Sequence, residues 1–446
     1  MNIHRKRFFL LAAFTTMVVV AFAQQVGSNS PYGRYGFGVL SNPSIGSSES
    51  MGGISYGLRR SQHVNPGNPA SYSKLDSLTF VFDIGLSGQY TKFSDPSNSQ
   101  YFYNGNLDYI AMQFPLFKKM GASIGLLPYS KVGYNFGRTR YLSDIVYQES
   151  YRGSGGLSQI YGGISFEPLK NISIGANIAY LFGNFSYSNV ATPLTSAGSR
   201  IGEKKSSFRI RDVKYDFGVQ YTHPINRYSS FTVGAIYAPQ IKATSTVYYT
   251  EQMFNSDPYS NPYQAPQEII KSDTIKGQEF YLPHTFGLGA TYMNPNFLVG
   301  IDATYQQWKN LKYPEILDGM KANDRFNNLY RINTGAEYVI DPMSSSFWRR
   351  IRFRGGLSFA NSYTNVHIFD PKTNNSIGMG GFKEYGATLG FGLPFRDVYG
   401  KVSMLNIGFG YTKQKPESSQ MISQDMFKIS IGMNINELWF RKFRFN

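Results

Sequence analysis

Phe427-Lys428-Ile429-Ser430-Ile431-Gly432-Met433-Asn434-Ile435 alternates apolar residues with small or polar ones at every second position. Side chains alternate faces along a strand, so this segment presents one greasy face and one polar face. The same alternation recurs from about residue 78 to about residue 438. It predicts fourteen strands, over 78–92, 104–118, 120–136, 157–169, 171–187, 206–222, 228–247, 277–292, 296–309, 326–339, 349–364, 382–396, 400–414 and 425–438. The connections between them are short and long by turns. Glu167-Pro168-Leu169-Lys170-Asn171, Asn294-Pro295-Asn296 and Asp341-Pro342-Met343-Ser344 are short and rich in turn formers. Long ones are expected near 93–103, 137–156, 188–205, 248–276, 310–325, 365–381 and 415–424. A soluble sandwich has no reason to sort its loops this way. A closed barrel in a bilayer does: it faces lipid outside and a polar lumen inside, has no free edge, and keeps its short turns on the periplasmic side. The fold class expected is all-β, a 14-stranded antiparallel transmembrane β-barrel with both termini in the periplasm.

Individual strands show which face is which. On 296–309, Phe297, Val299, Ile301, Ala303 and Tyr305 should meet lipid; Leu298, Gly300, Asp302, Thr304, Gln306 and Trp308 should line the lumen. On 349–364, Ile351 and Phe353 oppose Arg350, Arg352 and Arg354. A charge at mid-bilayer on the lipid face costs ~2–4 kcal/mol, so these arginines point inward or sit near the membrane surface.

The N-terminus carries an export signal over 1–23. Arg5, Lys6 and Arg7 precede the apolar run 8–20, and Ala21-Phe22-Ala23 is a small-residue cleavage site. After it no apolar run approaches the ~20 residues of a spanning helix. The chain contains no cysteine, which excludes disulfides and lipid attachment through a thiol. Charged residues are 16% of the chain and aromatics 16%, with 34 Tyr and 35 Phe. So low a charge and so many rings suit interfacial aromatic girdles. The whole-chain charge of +16, less the three of Arg5, Lys6 and Arg7, leaves +13 after cleavage. Outer-membrane lipid, lipopolysaccharide or an anionic ligand suits that surface; nucleic acid does not reach an exported barrel.

Residues 24–77 break the pattern. They are rich in Gly, Ser, Asn and Pro, yet keep the Tyr, Phe, Leu, Ile and Met that a solvated leader lacks. A compact plug, or hatch, inside the lumen is expected there, with the barrel proper over 78–438. A basic, aromatic tail over 439–446 closes the chain, with Trp439, Phe440 and Phe445 suited to an interface belt.

Leu282-Pro283-His284-Thr285-Phe286-Gly287-Leu288-Gly289-Ala290, followed by Gly300-Ile301-Asp302-Ala303-Thr304-Tyr305-Gln306-Gln307-Trp308, resembles the FadL family of outer-membrane transporters. So do Tyr330-Arg331-Ile332-Asn333-Thr334-Gly335-Ala336-Glu337-Tyr338 and Ile351-Arg352-Phe353-Arg354-Gly355-Gly356-Leu357. Ser50-Met51-Gly52-Gly53 and Asn68-Pro69-Ala70 are similar to that family's plug. The resemblance spans the mature chain. It implies a fourteen-stranded barrel with a hatch, moving long-chain fatty acids or other hydrophobic molecules by passive diffusion. A greasy ligand is better released sideways, between strands, than through water. The third strand is the candidate lateral gate: Gly121, Gly125, Pro128 and Gly133 lie close together, and Pro128 cannot donate to a ladder. Asn65-Pro66-Gly67-Asn68-Pro69-Ala70 is the candidate hinge or lock of the hatch.

Nothing catalytic assembles. Five scattered histidines, no His-Glu-x-x-His and no serine elbow argue against an enzyme, and no cofactor or metal is implied. Asp302, Trp308, Arg331, Glu337, Arg352 and Arg354 form a candidate polar network in the lumen, with Glu384 beside it. Two functions remain open: uptake of a hydrophobic small molecule, or a non-transporting barrel subunit with protein partners in an envelope machine for outer-membrane protein assembly or secretion. A general porin is disfavoured by the plug.

Overall fold

The computed structural model describes residues 29–76, 79–96, 98–142, 145–194, 200–259, 265–309, 311, 313, 325–369, 376–396 and 401–438. The export signal 1–23 and the tail 439–446 lie outside these residues. Fourteen strands form one antiparallel sheet: β1 (Thr79–Ser94), β2 (Ser99–Phe117), β3 (Met120–Leu142), β4 (Ile145–Leu169), β5 (Ile172–Pro193), β6 (Ile201–Pro224), β7 (Ser230–Ala238 continued by Ile241–Phe254), β8 (Glu268–Leu282 continued by Thr285–Met293), β9 (Phe297–Gln306), β10 (Leu329–Val339), β11 (Arg352–Asn361), β12 (Phe382–Arg396), β13 (Val402–Pro416) and β14 (Ser423–Leu438). Neighbours in sequence pair, and β14 closes the barrel on β1 from Ser423 opposite Ser94 to Leu438 opposite Thr79.

The exposed face carries the lipid band. Ile301, Ile332, Leu357, Leu389, Phe409 and Ile429 are all exposed at mid-strand, while Asp302, Asn333 and Asn406 on the opposite face are buried. Rings cluster above and below this band: Tyr305 stacks on Tyr330 at 4.9 Å and Tyr411 meets Phe427 at 4.9 Å, while Phe353 meets Phe391 at the other end. Along β10, Tyr330 and Tyr338 are exposed in these two girdles. Eight residues at ~3.3 Å, tilted ~40°, span roughly 20 Å of depth, close to the apolar band of an outer-membrane barrel.

Several boundaries differ from the sequence reading. The expected loops 137–156, 188–205 and 248–276 are largely strand. β3 runs to Leu142, β5 to Pro193 and β7 to Phe254, and β4, β6 and β8 begin correspondingly early. Beyond the bilayer neither face must be apolar, so alternation fades while the ladder continues. The strand expected over 349–364 is shorter, because Trp348–Arg350 make a 3-10 turn. Ile351 is consequently buried rather than lipid-facing. β7 and β8 are each interrupted side by side, at Pro239-Gln240 and Pro283-His284. Proline has no N–H for the ladder, and there Gln240 N donates instead to His284 Nδ1 at 3.1 Å.

Candidate functional site

Residues 29–76, the segment expected to be a plug (hereafter the plug), contact inward-facing residues of the wall at three levels. At the wide, long-loop end, Phe37 sits 5.6 Å from Phe280 and 5.8 Å from Trp308, ring to ring, within a cluster that includes Phe185, Phe208, Tyr313 and Tyr363. The backbone there is pinned by phenols. Tyr363 Oη donates to Gly38 O at 2.5 Å, and Tyr313 and Tyr187 donate to Gly36 O at 2.7 and 3.0 Å. Trp308 belongs to this apolar cluster, not to the polar network expected from sequence. It lies just past the end of β9, fully buried, and its Nε1 donates to Gln306 Oε1 at 2.8 Å.

At mid-depth the plug rests on glycines of the wall. A side chain at Gly335 would strike Met51, at Gly356 Gly52, at Gly234 the Tyr56 carbonyl, at Gly175 Pro69, at Gly218 Asn68 and at Gly121 the Tyr72 carbonyl. The bare glycine backbone lets two main chains approach. Gly52 and Gly53 turn the plug with φ of 65° and 85°, conformations that L side chains rarely adopt. The segment Asn65–Ala70 is stitched down. Asn65 Nδ2 donates to Ser55 O (2.7 Å) and Leu58 O (3.0 Å), Asn68 Nδ2 to Tyr56 O (2.8 Å), and Asn177 Nδ2 to Pro66 O (3.2 Å). Asn68 also caps the 3-10 helix Pro69–Lys74 by accepting from Ala70 N.

Carboxylates of the wall grip the plug. Asp302 Oδ2 accepts from Ser55 N at 2.5 Å and Tyr56 N at 2.8 Å. Glu337 is shared by three guanidiniums: Arg352 at 2.6 Å and Arg354 at 2.7 Å from the neighbouring strand, and Arg60 of the plug at 2.7 Å. Arg59 pairs with Glu167 at 2.8 Å. Arg60 and Arg59 are the partners the sequence reading lacked; no spacing signal links them to wall residues a hundred or more positions away. Of the remaining network candidates, Arg331 is half-buried and lines a small cavity with Asn333 and Pro128, apart from Glu337, and Glu384 accepts from Gln414. His63, on the plug, sits between Ser48 Oγ at 3.0 Å and Ser47 Oγ at 3.4 Å. Burial, then the charges of Arg60 and Arg354, push its pKa down to about 3.

The candidate gate residues divide into two pairs. Gly121 and Gly125 lie in continuous ladder on both sides, opposite Pro115 and Ala111 of β2 and Ser165 and Tyr161 of β4. Pro128 and Gly133 lie beyond Leu126, where the β2–β3 ladder stops at Ile110. From there upward β4 is the one barrel strand that pairs with β3, with a register slip at Pro128/Ser130. This split seam is occupied from within. The plug strand Val39–Leu40 pairs with Lys131 and Ser130, and Ser41 N donates to Tyr129 O at 2.9 Å. Behind it stands a four-membered charge cluster: Lys428 contacts Glu49 of the plug and Asp108 (2.9 Å), and Asp108 faces Lys131 at 3.8 Å across the seam.

Among the described residues no helix is long and apolar enough to cross a membrane, and no three His, Asp or Glu gather as for a metal ion.

A family model described as BamG matches residues 5–446. A search of curated proteins finds no match. Solved structures share the fold. The toluene transporter TodX of P. putida is 15% identical, with a TM-score of 0.58 over 90% of this chain and 100% of that one. A FadL homologue of Pseudomonas aeruginosa is 12% identical (TM-score 0.53; 89% and 99%). The Ralstonia pickettii toluene transporter TbuX is 13% identical (TM-score 0.51; 88% and 98%). Identities this low establish shared architecture and no more.

Proposed function

The chain belongs to the BamG family, and from that premise we propose that it is a plugged, non-conducting barrel subunit of an outer-membrane protein assembly machine, the role to which the Bam designation points. The observation that supports this best is the state of the bore. An aromatic cluster fills its outer end, glycine-bedded backbone its middle, and carboxylate–guanidinium pairs its inner end. The seam is no easier a path for a greasy molecule. It would have to displace a strand and part the half-buried Glu49–Lys428–Asp108 contacts. In this reading residues 1–23 direct export, 24–77 form a permanent stopper, 78–438 the barrel, and 439–446 a periplasmic tail. The barrel sits among outer-membrane lipid and lipopolysaccharide, and its partners are proteins. Gentle detergent extraction and affinity purification test it: a stoichiometric complex containing the barrel-assembly core is expected, and a lone monomer refutes it.

The split ladder above Leu126, together with the fold shared with toluene transporters, favours a second reading: uptake of a hydrophobic small molecule with lateral release past Pro128. Uptake of a labelled fatty acid and of toluene into proteoliposomes, compared with a Gly125→Ala/Pro128→Ala double variant, separates the two. The assembly reading expects no uptake by either protein.

A further inference from the structure

At the short-turn end of the barrel lies a cavity of about 460 Å³, within the ~300–1,000 Å³ of ordinary ligand sites. Six cations line it: Arg59, Arg60 and Lys74 from the plug, Arg227 from the β6–β7 turn, and Arg352 and Arg354 from β11. Among the described residues its one lining carboxylate, Asp83, is already engaged by Tyr109 Oη and Asn434 Nδ2, both at 2.9 Å. The two carboxylates behind the lining are also committed. Glu337 serves three guanidiniums and Glu167 serves Arg59. Among the described residues, six positive charges therefore meet three negative ones. Arg59 is 6% exposed, its two Nη atoms are bonded to Thr222, Ser73 and Glu167, and its enclosed Nε has no acceptor among the described residues, so it brings a fixed positive charge to the cavity wall.

We propose that this vestibule binds an acidic peptide segment, with several carboxylates in succession, presented by a periplasmic partner protein. The inference deepens the assembly-subunit reading and rests on it. The strands separate the cavity from the lipid, so headgroups do not reach it from the side. Turn residues 227–228 and 293–295 form its rim, so it opens toward the short-turn end. The cations come from three separate elements around the bore, an arrangement that suits a chain of carboxylates better than one compact anion. A concave site lined by one sign of charge also concentrates such a ligand and speeds its capture. Because Arg60 both lines the cavity and holds the plug to Glu337, an occupant there bears directly on the plug's anchor.

The test uses the full barrel in detergent micelles and a fluorescein-labelled tetraglutamate peptide, read by anisotropy, with tetraglutamine and inorganic phosphate as comparisons. Tetraglutamate should bind, tetraglutamine should not, and the Kd should weaken at least tenfold from 50 to 300 mM salt. Arg352→Gln should weaken it at least tenfold. Arg227→Glu, on an exposed turn outside the Glu337 cluster, should do the same while leaving the folded barrel's gel mobility unchanged. Equal binding of tetraglutamine, or an unchanged Kd in Arg227→Glu, overturns the proposal. So does displacement by phosphate at equimolar concentration, which would make this a simple anion site. Absence of peptide binding by a barrel that still purifies with the assembly core overturns the vestibule alone. A wild-type barrel that binds the peptide yet never purifies with that core overturns the assembly reading instead.

Discussion

Glu337→Gln should loosen the plug from the barrel without unfolding it. The Glu337 side chain is 2% exposed and receives three guanidiniums, of which Arg354 is equally buried. Glutamine keeps the shape but removes the charge, halves the acceptors and points an N–H₂ group at a set of donors. Leaving buried charges uncompensated costs ~3–5 kcal/mol. Arg352 and Arg354 belong to the wall and stay in place, so part of the loss strains the wall. The plug's own share is the two-bond contact of Arg60, at 2.7 and 3.2 Å, and a hydrogen bond to a charged group contributes ~1.5–3 kcal/mol. At 1.4 kcal/mol per tenfold, plug release should rise by between ~10-fold and ~100-fold. Trypsin reads this directly, because Arg59 and Arg60 lie on the plug itself. When opening is fast relative to cleavage, the cutting rate follows the population of the open form. The variant should therefore be cut in this segment at least tenfold faster than wild type, with its barrel still running as folded on an unheated gel. Cleavage within twofold of wild type would refute the idea that Glu337 anchors the plug.

Three further outcomes follow from the same geometry. Gly234→Ala places a methyl against the Tyr56 carbonyl; overpacking of this kind costs ~1–3 kcal/mol, seen as a lower thermal midpoint, whereas Gly88→Ala, with open space around it, should be neutral. Phe37→Ala empties the centre of the outer aromatic cluster at ~3–5 kcal/mol and should lower the thermal midpoint by more than Gly234→Ala does. His63 is held neutral, with a folded pKa of about 3 against ~6.5 for the free side chain. Between those values the released plug binds the proton and the docked plug does not, so docking is fully stable above ~6.5 and weakens by up to ~1.4 kcal/mol per pH unit below it. Thermal melts at pH 7 and pH 5 should show that loss, and His63→Gln should flatten it.

The barrel was legible because bilayer and lumen impose opposite demands on alternate residues. On β9 that contrast runs from Phe297 to Tyr305 without a break, and the exposures follow it as far as Ala303. Legibility failed where one demand lapsed. Above the membrane, Arg138, Thr139 and Arg140 carry the ladder upward with no apolar face to signal it. Glycines were ambiguous for a related reason. Gly121 reads as a flexible gate residue, and its close approach to the Tyr72 carbonyl is disclosed only by the folded position of the plug. Trp308 faces inward as its position implies, but the lumen at that height is aromatic rather than polar. The partners of Glu337 were half visible: Arg352 and Arg354 share its strand pair, while Arg60 reaches it only through the tertiary path of the plug.

This barrel either helps to build others or conducts a small molecule itself. Depleting it from its native cell, while following both the folded fraction of newly made outer-membrane barrels and the uptake of labelled toluene, decides between the two. A fall in barrel folding with uptake unchanged is the expected result. Normal barrel folding with uptake abolished would contradict the account.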